Sequence, residues 1–490
     1  MSSQTHTASA DPTGGFLGRM EGLLMPLAES VGKNRYLLTL RDSFSMIMPL
    51  LIIGSMFTLV ASFPITAWTD FLAATTIGDY TLKTLIAIPA NATVSLMSIF
   101  IAYNIGLNFA GYLGLKDRPS AGIVSLASWL ILMPQLTSFT PEEGGETFEV
   151  ASLNLEWLGA KGVFIGIIAG FLSVALYAWC VRKDWTIKMP AGVPPVVARS
   201  FSALIPMAVT FAVVWVVRVV FVLTPWGDAF TFVYAILQLP LQHVGGTVWS
   251  QALVYLFAHF LWFFGIHGTN ITDAVYNPVL IPLSLENASA LQAGMALPNV
   301  INQQFEQLFA TYGGAGSTLS LLIAALIICR SKRIHSLAKM SLLPGIFEIN
   351  EPVIFGLPIV MNPVMAIPFL LVPMVNIFAT YAVMAAGLVP ICNGTLLPWT
   401  VPPIVSGFLC SGWQGALWQA LMVAVGVLIY LPFIGALDRM YLKEEAEAAK
   451  VASPPAQGVG GSPVEAHASR EASDIDIDSI DLDAADLKDL

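Results

Sequence analysis

The chain has 490 residues, of which 56% are hydrophobic and only 11% charged. A soluble domain carries about 25% charge, so a soluble globular protein is excluded and a polytopic membrane protein is expected. The net charge of −10 says little about partners, because residues 471–490 alone hold eight acids and one lysine; no nucleic-acid partner is expected.

Residues 1–15 are polar and small, without the basic and apolar regions of a secretory signal, and are expected to be disordered. From 16 to 42 the pattern predicts an amphipathic helix entering the membrane, with Arg19, Lys33, Arg35 and Arg41. Apolar stretches near the ~20 residues a crossing needs follow at 43–63, 84–114, 120–139, 161–181, 199–224, 229–247 and 248–268. More lie at 292–311, 316–329, 353–390 (Pro-broken) and 413–436. The fold class predicted is all-α, with about ten transmembrane helices plus re-entrant hairpins.

Basic residues cluster at Arg19–Arg41, Lys116/Arg118, Arg182/Lys183/Lys188/Arg199, Arg330/Lys332/Arg333/Lys339 and Arg439/Lys443. An even number of crossings separates the first three clusters, so all can face the cytoplasm. The loop 140–160 carries Glu142, Glu143, Glu146, Glu149 and Glu156 and no base, and is expected outside. Both termini are then cytoplasmic. The stretch KMPAGVPP (188–195), within 188–198, cannot continue a helix and predicts a hinge between membrane halves 16–187 and 199–442. The tail 443–490 turns polar and acidic and is expected to be disordered. Cys180, Cys329, Cys392 and Cys410 are widely spaced and read as buried hydrophobes rather than metal ligands. No Walker loop, HExxH, GxSxG or dinucleotide motif occurs, so no cofactor, metal or catalytic nucleophile is expected.

Two polar constellations interrupt the apolar pattern. In HFLWFFGIHGTN (259–270), His267 is flanked by Gly265 and Gly268 and followed by Thr269, Asn270 and Asp273; His259 reads as a packing residue. In GIFEINEPVIFGLPIVMNP (345–363), Glu348 and Glu351 sit among prolines and apolar residues. Ionisable groups at membrane depth are expensive and usually functional, and Pro/Gly-broken spans mark solute sites in transporters. Neutral imidazole donates and accepts, and a carboxylate without a nearby cation needs donors; sugar hydroxyls satisfy both. Trp262 and Trp399 are expected as stacking platforms for sugar rings, against the alternative of interfacial aromatics. Arg218, mid-span, is expected to pair with an acid or to snorkel. Asn91, Asn104, Asn154 and Lys161 carry weaker signals.

Several blocks resemble the membrane subunit, enzyme IIC, of the lactose/cellobiose/chitobiose family of the bacterial phosphoenolpyruvate-dependent sugar phosphotransferase system. They are RDSFSMIMPLLIIGS (41–55), LGAKGVF (158–164), IKMPAGVPPVVARSFSALIP (187–206), LWFFGIHGTN (261–270), GIFEINEPVIFGLPIVMNP (345–363) and LPWTVPPIVSGFL (397–409). The resemblance implies a homodimer in the bacterial cytoplasmic membrane, with an N-terminal dimerisation half and a C-terminal transport half. It implies a β-linked disaccharide held by His267 and Glu351, with Trp262 and Trp399 beside it and Asn154, Lys161 and Gly162 adding contacts. It places Glu351 near the hydroxyl that a phosphocysteine on a separate enzyme IIB, loaded by IIA, phosphorylates. The family commonly reads Asn where this chain has Glu348. The alternatives are a proton-coupled sugar symporter using Glu351 and His267 as relay, and an enzyme acting on lipid-linked sugar through Glu348 and Glu351.

Overall fold

The computed structural model of the chain describes residues 33–63, 65–139, 146–190, 192–357 and 359–452. The expected disordered N-terminus, the helix over 16–32, Glu142, Glu143 and the tail from 453 lie outside them.

The first helix, α1 (Arg35–Ala61), starts where Asn34 Oδ1 accepts the amides of Tyr36 and Leu37 at 2.9 and 3.4 Å. Its 27 residues, at about 1.5 Å each, exceed the ~30 Å hydrocarbon core. After α2 (Thr66–Ala74), the two-residue strands β1 (Thr76–Ile77) and β2 (Tyr80–Thr81) pair antiparallel. The bundle continues with α3 (Leu82–Thr93), α4 (Met97–Tyr112) and α5 (Arg118–Leu132). Strands β3 (Leu136–Phe139) and β4 (Phe148–Ala151) form an antiparallel hairpin in the acidic loop, Leu136 opposite Ala151. With β1 and β2 they are the departures from an all-α chain among the described residues. The short α6 (Leu155–Leu158) leads into α7 (Val163–Arg182), which packs on α4 and α5. Ser125 Oγ, buried between helices, donates to Ala102 O at 2.5 Å, the small-residue contact that lets membrane helices approach closely.

Of the expected hinge 188–198, residues 188–190 and 192–194 form no helix, whereas 195–198 already belong to α8 (Pro195–Val222), Pro195 standing at its first position, where the missing N–H costs nothing. Arg218 on α8 meets no acid among the described residues. Its Nη1 donates to the carbonyls of Ile131 at 3.0 Å and Met133 at 2.5 Å. The last carbonyls of a helix have no intrahelical donor, so a guanidinium from a distant helix caps α5.

Next come α9 (Ala229–Val233), α10 (Leu239–Gly245), α11 (Val248–Phe263), α12 (Gly268–Gln292), α13 (Gln303–Phe309), α14 (Thr318–Ile328) and α15 (Lys332–Ile346). The chain ends with α16 (Glu351–Gly356), α17 (Pro363–Ala385) and α18 (Val405–Ala452). Among the described residues six helices are long and apolar enough to cross a membrane, and a seventh if Ala229–Gly245 and Val248–Phe263, bent by 73°, count as one span. The sequence had suggested about ten. Two apolar stretches fold instead as the short helices Arg118–Leu132 and Ala315–Ile328. The apolar reading at 292–311 becomes an irregular segment followed by the seven-residue α13, whose Gln303, Gln304 and Glu306 are buried. The stretch 353–390 divides into α16 and α17, as its prolines predict.

Large apolar side chains such as Trp215, Leu223 and Trp249 remain exposed; on a chain of this composition such surface meets lipid.

Candidate functional site

The broken segments converge. A cavity of about 290 Å³ is lined by Trp262, His267, Glu348, Glu351 and Trp399, together with polar groups from α11, α12 and α13. His267 and Glu351 lie 84 positions apart in the chain, yet they are within electrostatic reach of each other.

His267 comes to the cavity because α11 stops at Phe263 and α12 starts at Gly268. A Cβ on Gly268 would lie 1.9 Å from Ala258 O, so only glycine allows this reversal. His267 is the N-cap of α12: its Nδ1 accepts the Asn270 amide at 3.3 Å and lies 3.2 Å from Thr269 Oγ1. In a neutral ring, an accepting Nδ1 leaves the proton on Nε2. The cap therefore fixes a tautomer that presents an N–H donor to the cavity. The Trp262 indole packs against this ring, centroids 4.2 Å apart. Trp262 is 3% exposed, and its Nε1 has no hydrogen-bond partner among the described residues.

The carboxylates arrive on a different device. Glu348 holds φ +68, a left-handed conformation that Asn tolerates better than Glu. Glu348 stays there because its Oε2 accepts the Gly314 amide at 2.6 Å. Asn350 Nδ2 donates to Ala315 O at 2.8 Å. A Cβ on Gly314, itself at φ +84, would lie 2.6 Å from Asn350 Cγ. The turn 313–317 and the loop before α16 thus brace each other and present Glu351, exposed, at the first position of α16. Trp399 reaches the cavity from the irregular segment before α18 and is 53% exposed.

Asn154, Lys161 and Gly162 do not line this cavity. Asn154 caps α6, its Oδ1 accepting from Glu156 N at 2.9 Å. Lys161 pairs with Glu156 at 2.6 Å and lies over the Tyr234 ring. Gly162 O accepts from Trp129 Nε1 at 3.3 Å. His259 is buried, its Nδ1 bonded to Tyr255 O at 2.8 Å and its ring against Phe369, a packing role.

The cavity also holds groups that the sequence reading missed. Tyr255 O–H donates to Glu306 O at 2.8 Å and lies 2.7 Å from Glu306 Oε1, while Glu306 Oε2 is buried without a partner among the described residues. Tyr255, Glu306 and Gln307 all line the wall. The available signal was the polar run Asn302–Gln303–Gln304–Phe305–Glu306–Gln307 inside an apolar stretch; such density at membrane depth marks a cavity-facing segment. A charged carboxylate in these surroundings requires donors, so the wall presents unmet hydrogen-bonding capacity beside two indoles. That chemistry suits a polyhydroxylated ring.

Interrupted helices ending on a polar interior pocket, in a chain with several apolar spans, define a multi-pass membrane protein of transporter type. The family profile "Phosphotransferase system, EIIC" matches residues 41–373. The chain is 37% identical over 442 residues to "Lichenan permease IIC component" of Bacillus subtilis (strain 168), covering 89% of this chain and 97% of that one. It is 38% identical over 435 residues to "PTS system cellobiose-specific EIIC component" of Geobacillus stearothermophilus, covering 88% and 96%. The crystal structure of the transporter ChbC, the IIC component from the N,N'-diacetylchitobiose-specific phosphotransferase system, superposes with a TM-score of 0.83 at 36% identity, covering 87% of this chain and 99% of that one. The chain belongs to the phosphotransferase-system EIIC family, the membrane permease components of sugar transport.

Proposed function

We propose that this chain is the sugar-binding and translocating subunit for a β-linked disaccharide, delivering it to the cytoplasm for phosphorylation by a separate enzyme IIB. The observation that carries this reading is the meeting of Trp262, His267, Glu351 and Trp399 on one cavity in a chain of this family. The names of its relatives, specific for cellobiose, oligo-β-mannoside and N,N'-diacetylchitobiose, support a β-linked substrate. The cavity of about 290 Å³ lies at the lower end of the ~300–1,000 Å³ usual for ligand sites.

The indoles of Trp262 and Trp399 stack on the C–H faces of the sugar rings. His267 Nε2–H donates to a hydroxyl oxygen. Glu351 accepts from the hydroxyl that is to be phosphorylated. When phosphocysteine of enzyme IIB approaches, that hydroxyl oxygen forms the new O–P bond as the S–P bond breaks. The thiolate leaves on IIB, and the hydroxyl proton passes to the Glu351 carboxylate. The chain works as a homodimer, residues 16–187 forming the fixed half and 199–442 the moving half about the segment 188–198. Both termini face the cytoplasm. The irregular backbone between α7 and α8 supports a hinge there.

The test is uptake of radiolabelled cellobiose and N,N'-diacetylchitobiose into proteoliposomes supplied with phosphoenolpyruvate and the general and sugar-specific phosphotransferase components. Accumulation of sugar phosphate that needs phosphoenolpyruvate, ignores an uncoupler and is lost in Glu351→Gln is expected. Uptake abolished by the uncoupler and indifferent to phosphoenolpyruvate would instead show proton symport.

A further inference from the structure

The turn 313–317 carries a feature that the sugar contacts leave unused. Gly313 and Gly314 follow one another at φ +78 and +84, a region that favours glycine. Their carbonyls are engaged by the turn itself: Gly313 O accepts from Thr318 Oγ1, and Gly314 O accepts from Ser317 N at 2.9 Å. Their successive amides converge instead on one carboxyl group. Gly314 N donates to Glu348 Oε2 at 2.6 Å, and the Gly313 amide bonds the same side chain. A Cβ would lie 2.4 Å from Leu319 N at Gly313 and 2.7 Å from Glu348 O at Gly314, so neither position admits a side chain and the amides stay bare.

Successive backbone amides in a turn make a concavity that binds anions. Here the chain's own Glu348 fills it, and it does so on the wall of the cavity: Gly314 and Glu348 line the same space as His267 and Glu351. Glu348 is 9% exposed and holds φ +68, so the contact is kept against backbone strain, as happens at functional sites. An anionic group on a bound ring would find both donors taken and a carboxyl group in its place.

We propose that Glu348 is a specificity-determining residue: by occupying the Gly313 and Gly314 amides it denies them to anionic saccharides, so that the cavity takes a neutral sugar and does not retain its phosphate ester. This rests on the proposed function and deepens it, since the phosphate ester is the product that must leave. Asp273, Glu306 and Glu351 line the same cavity and also disfavour anions, so freeing the amides reduces the discrimination without reversing it.

The experiment is calorimetry on the purified full-length chain with cellobiose and N,N'-diacetylchitobiose, each against its ester phosphorylated on the primary hydroxyl of the non-reducing ring. Wild type is compared with Glu348→Gln, which keeps an oxygen against the amides, and with Glu348→Ala, which frees them. Glu348→Asn, one carbon shorter and more tolerant of positive φ, frees them too and serves if the alanine variant does not fold. The affinity for the ester relative to the neutral sugar is expected to rise at least fivefold in Glu348→Ala and Glu348→Asn, and to stay within twofold of wild type in Glu348→Gln. An unchanged ratio in the folded alanine or asparagine variant overturns the proposal and leaves the proposed function standing. A rise in Glu348→Gln as large as in Glu348→Ala also overturns it, because charge and not occupancy of the amides would then set the preference. Binding of no neutral disaccharide by wild type overturns the proposed function. Melting curves in inorganic phosphate, against chloride at equal ionic strength, then decide the occupancy of the amides: a phosphate-dependent rise in Glu348→Ala that wild type lacks supports it, and no such rise overturns it.

Discussion

The indole of Trp262 and the imidazole of His267 lie with ring centroids 4.2 Å apart, inclined at 47°. The last turn of α11 thereby holds the residue that starts α12. His267 is fixed from two sides, by Trp262 packing and by its Nδ1 bond to Asn270 N at 3.3 Å, so Nε2 is its free pole.

Trp262 then has two separable contributions, a stacking face and an unpaired N–H. Trp262→Phe keeps a ring and is expected to weaken disaccharide binding about fivefold, the ~1 kcal/mol of one hydrogen bond. Trp262→Ala removes the platform and should cost about 2 kcal/mol or more, as buried aromatic anchors do. Calorimetric titration of each variant decides; equal affinity for wild type and Trp262→Ala would remove Trp262 from the site.

The two nitrogens of His267 can be separated in the same way. Asn is a good N-cap but cannot reach where Nε2 points. His267→Asn should therefore keep thermal stability within about 1 kcal/mol while sugar affinity falls at least tenfold. His267→Ala should lose both cap and affinity. A thermal melt alongside a binding titration reads both, and retained affinity in His267→Asn would contradict the assigned donor.

Glu348 is held in a strained conformation by its bond to the Gly314 amide, 2.6 Å long. Glu348→Gln keeps an acceptor oxygen and should leave stability nearly unchanged. Glu348→Ala leaves the half-buried Gly314 amide without its partner, at a cost of about 1 kcal/mol, seen as a lowered melting temperature in detergent. A melt for Glu348→Ala that matches wild type would mean that the brace between turn 313–317 and the loop before α16 contributes nothing.

Between the two segments of this brace in sequence, the Arg330 and Ser331 amides donate to Asp438 of α18 at 3.0 and 2.8 Å. It is 6% exposed, so the carboxylate meets orphan amides at the start of α15. Asp438→Asn, which keeps one acceptor, should cost about 1 kcal/mol and Asp438→Leu about 3. If size-exclusion profiles and melts rank the two variants the other way, the bond is not what holds this contact.

Much of this was legible from local signals. Glycine, proline and charge are rare events in an apolar chain, so GIHG and NEP stood out before any geometry was known, and Pro-broken 353–390 divided as read. Where the reading fell short, the partner was remote. Arg218 meets carbonyls 85 and 87 positions away, and no local pattern reports a helix end waiting for a donor. The stretch 292–311 passed as a span because average hydropathy hid the run from Asn302 to Gln307. Asn154 caps its own helix and Lys161 pairs with Glu156 five positions away, while Gly162 accepts from the distant Trp129.

What the sequence determined by itself was the solvent and the weak points: composition demands a bilayer, and the few polar, glycine and proline residues say where helices break, because both follow from each residue's own transfer energy and backbone freedom. Only the tertiary structure decided that the breaks at 264–267 and 347–350 face one cavity with Trp399, that α13 brings Glu306 and Gln307 to its wall, and that His267 offers Nε2. Each of these depends on hydrogen bonds and packing between segments far apart in the chain, and no single segment contains that information.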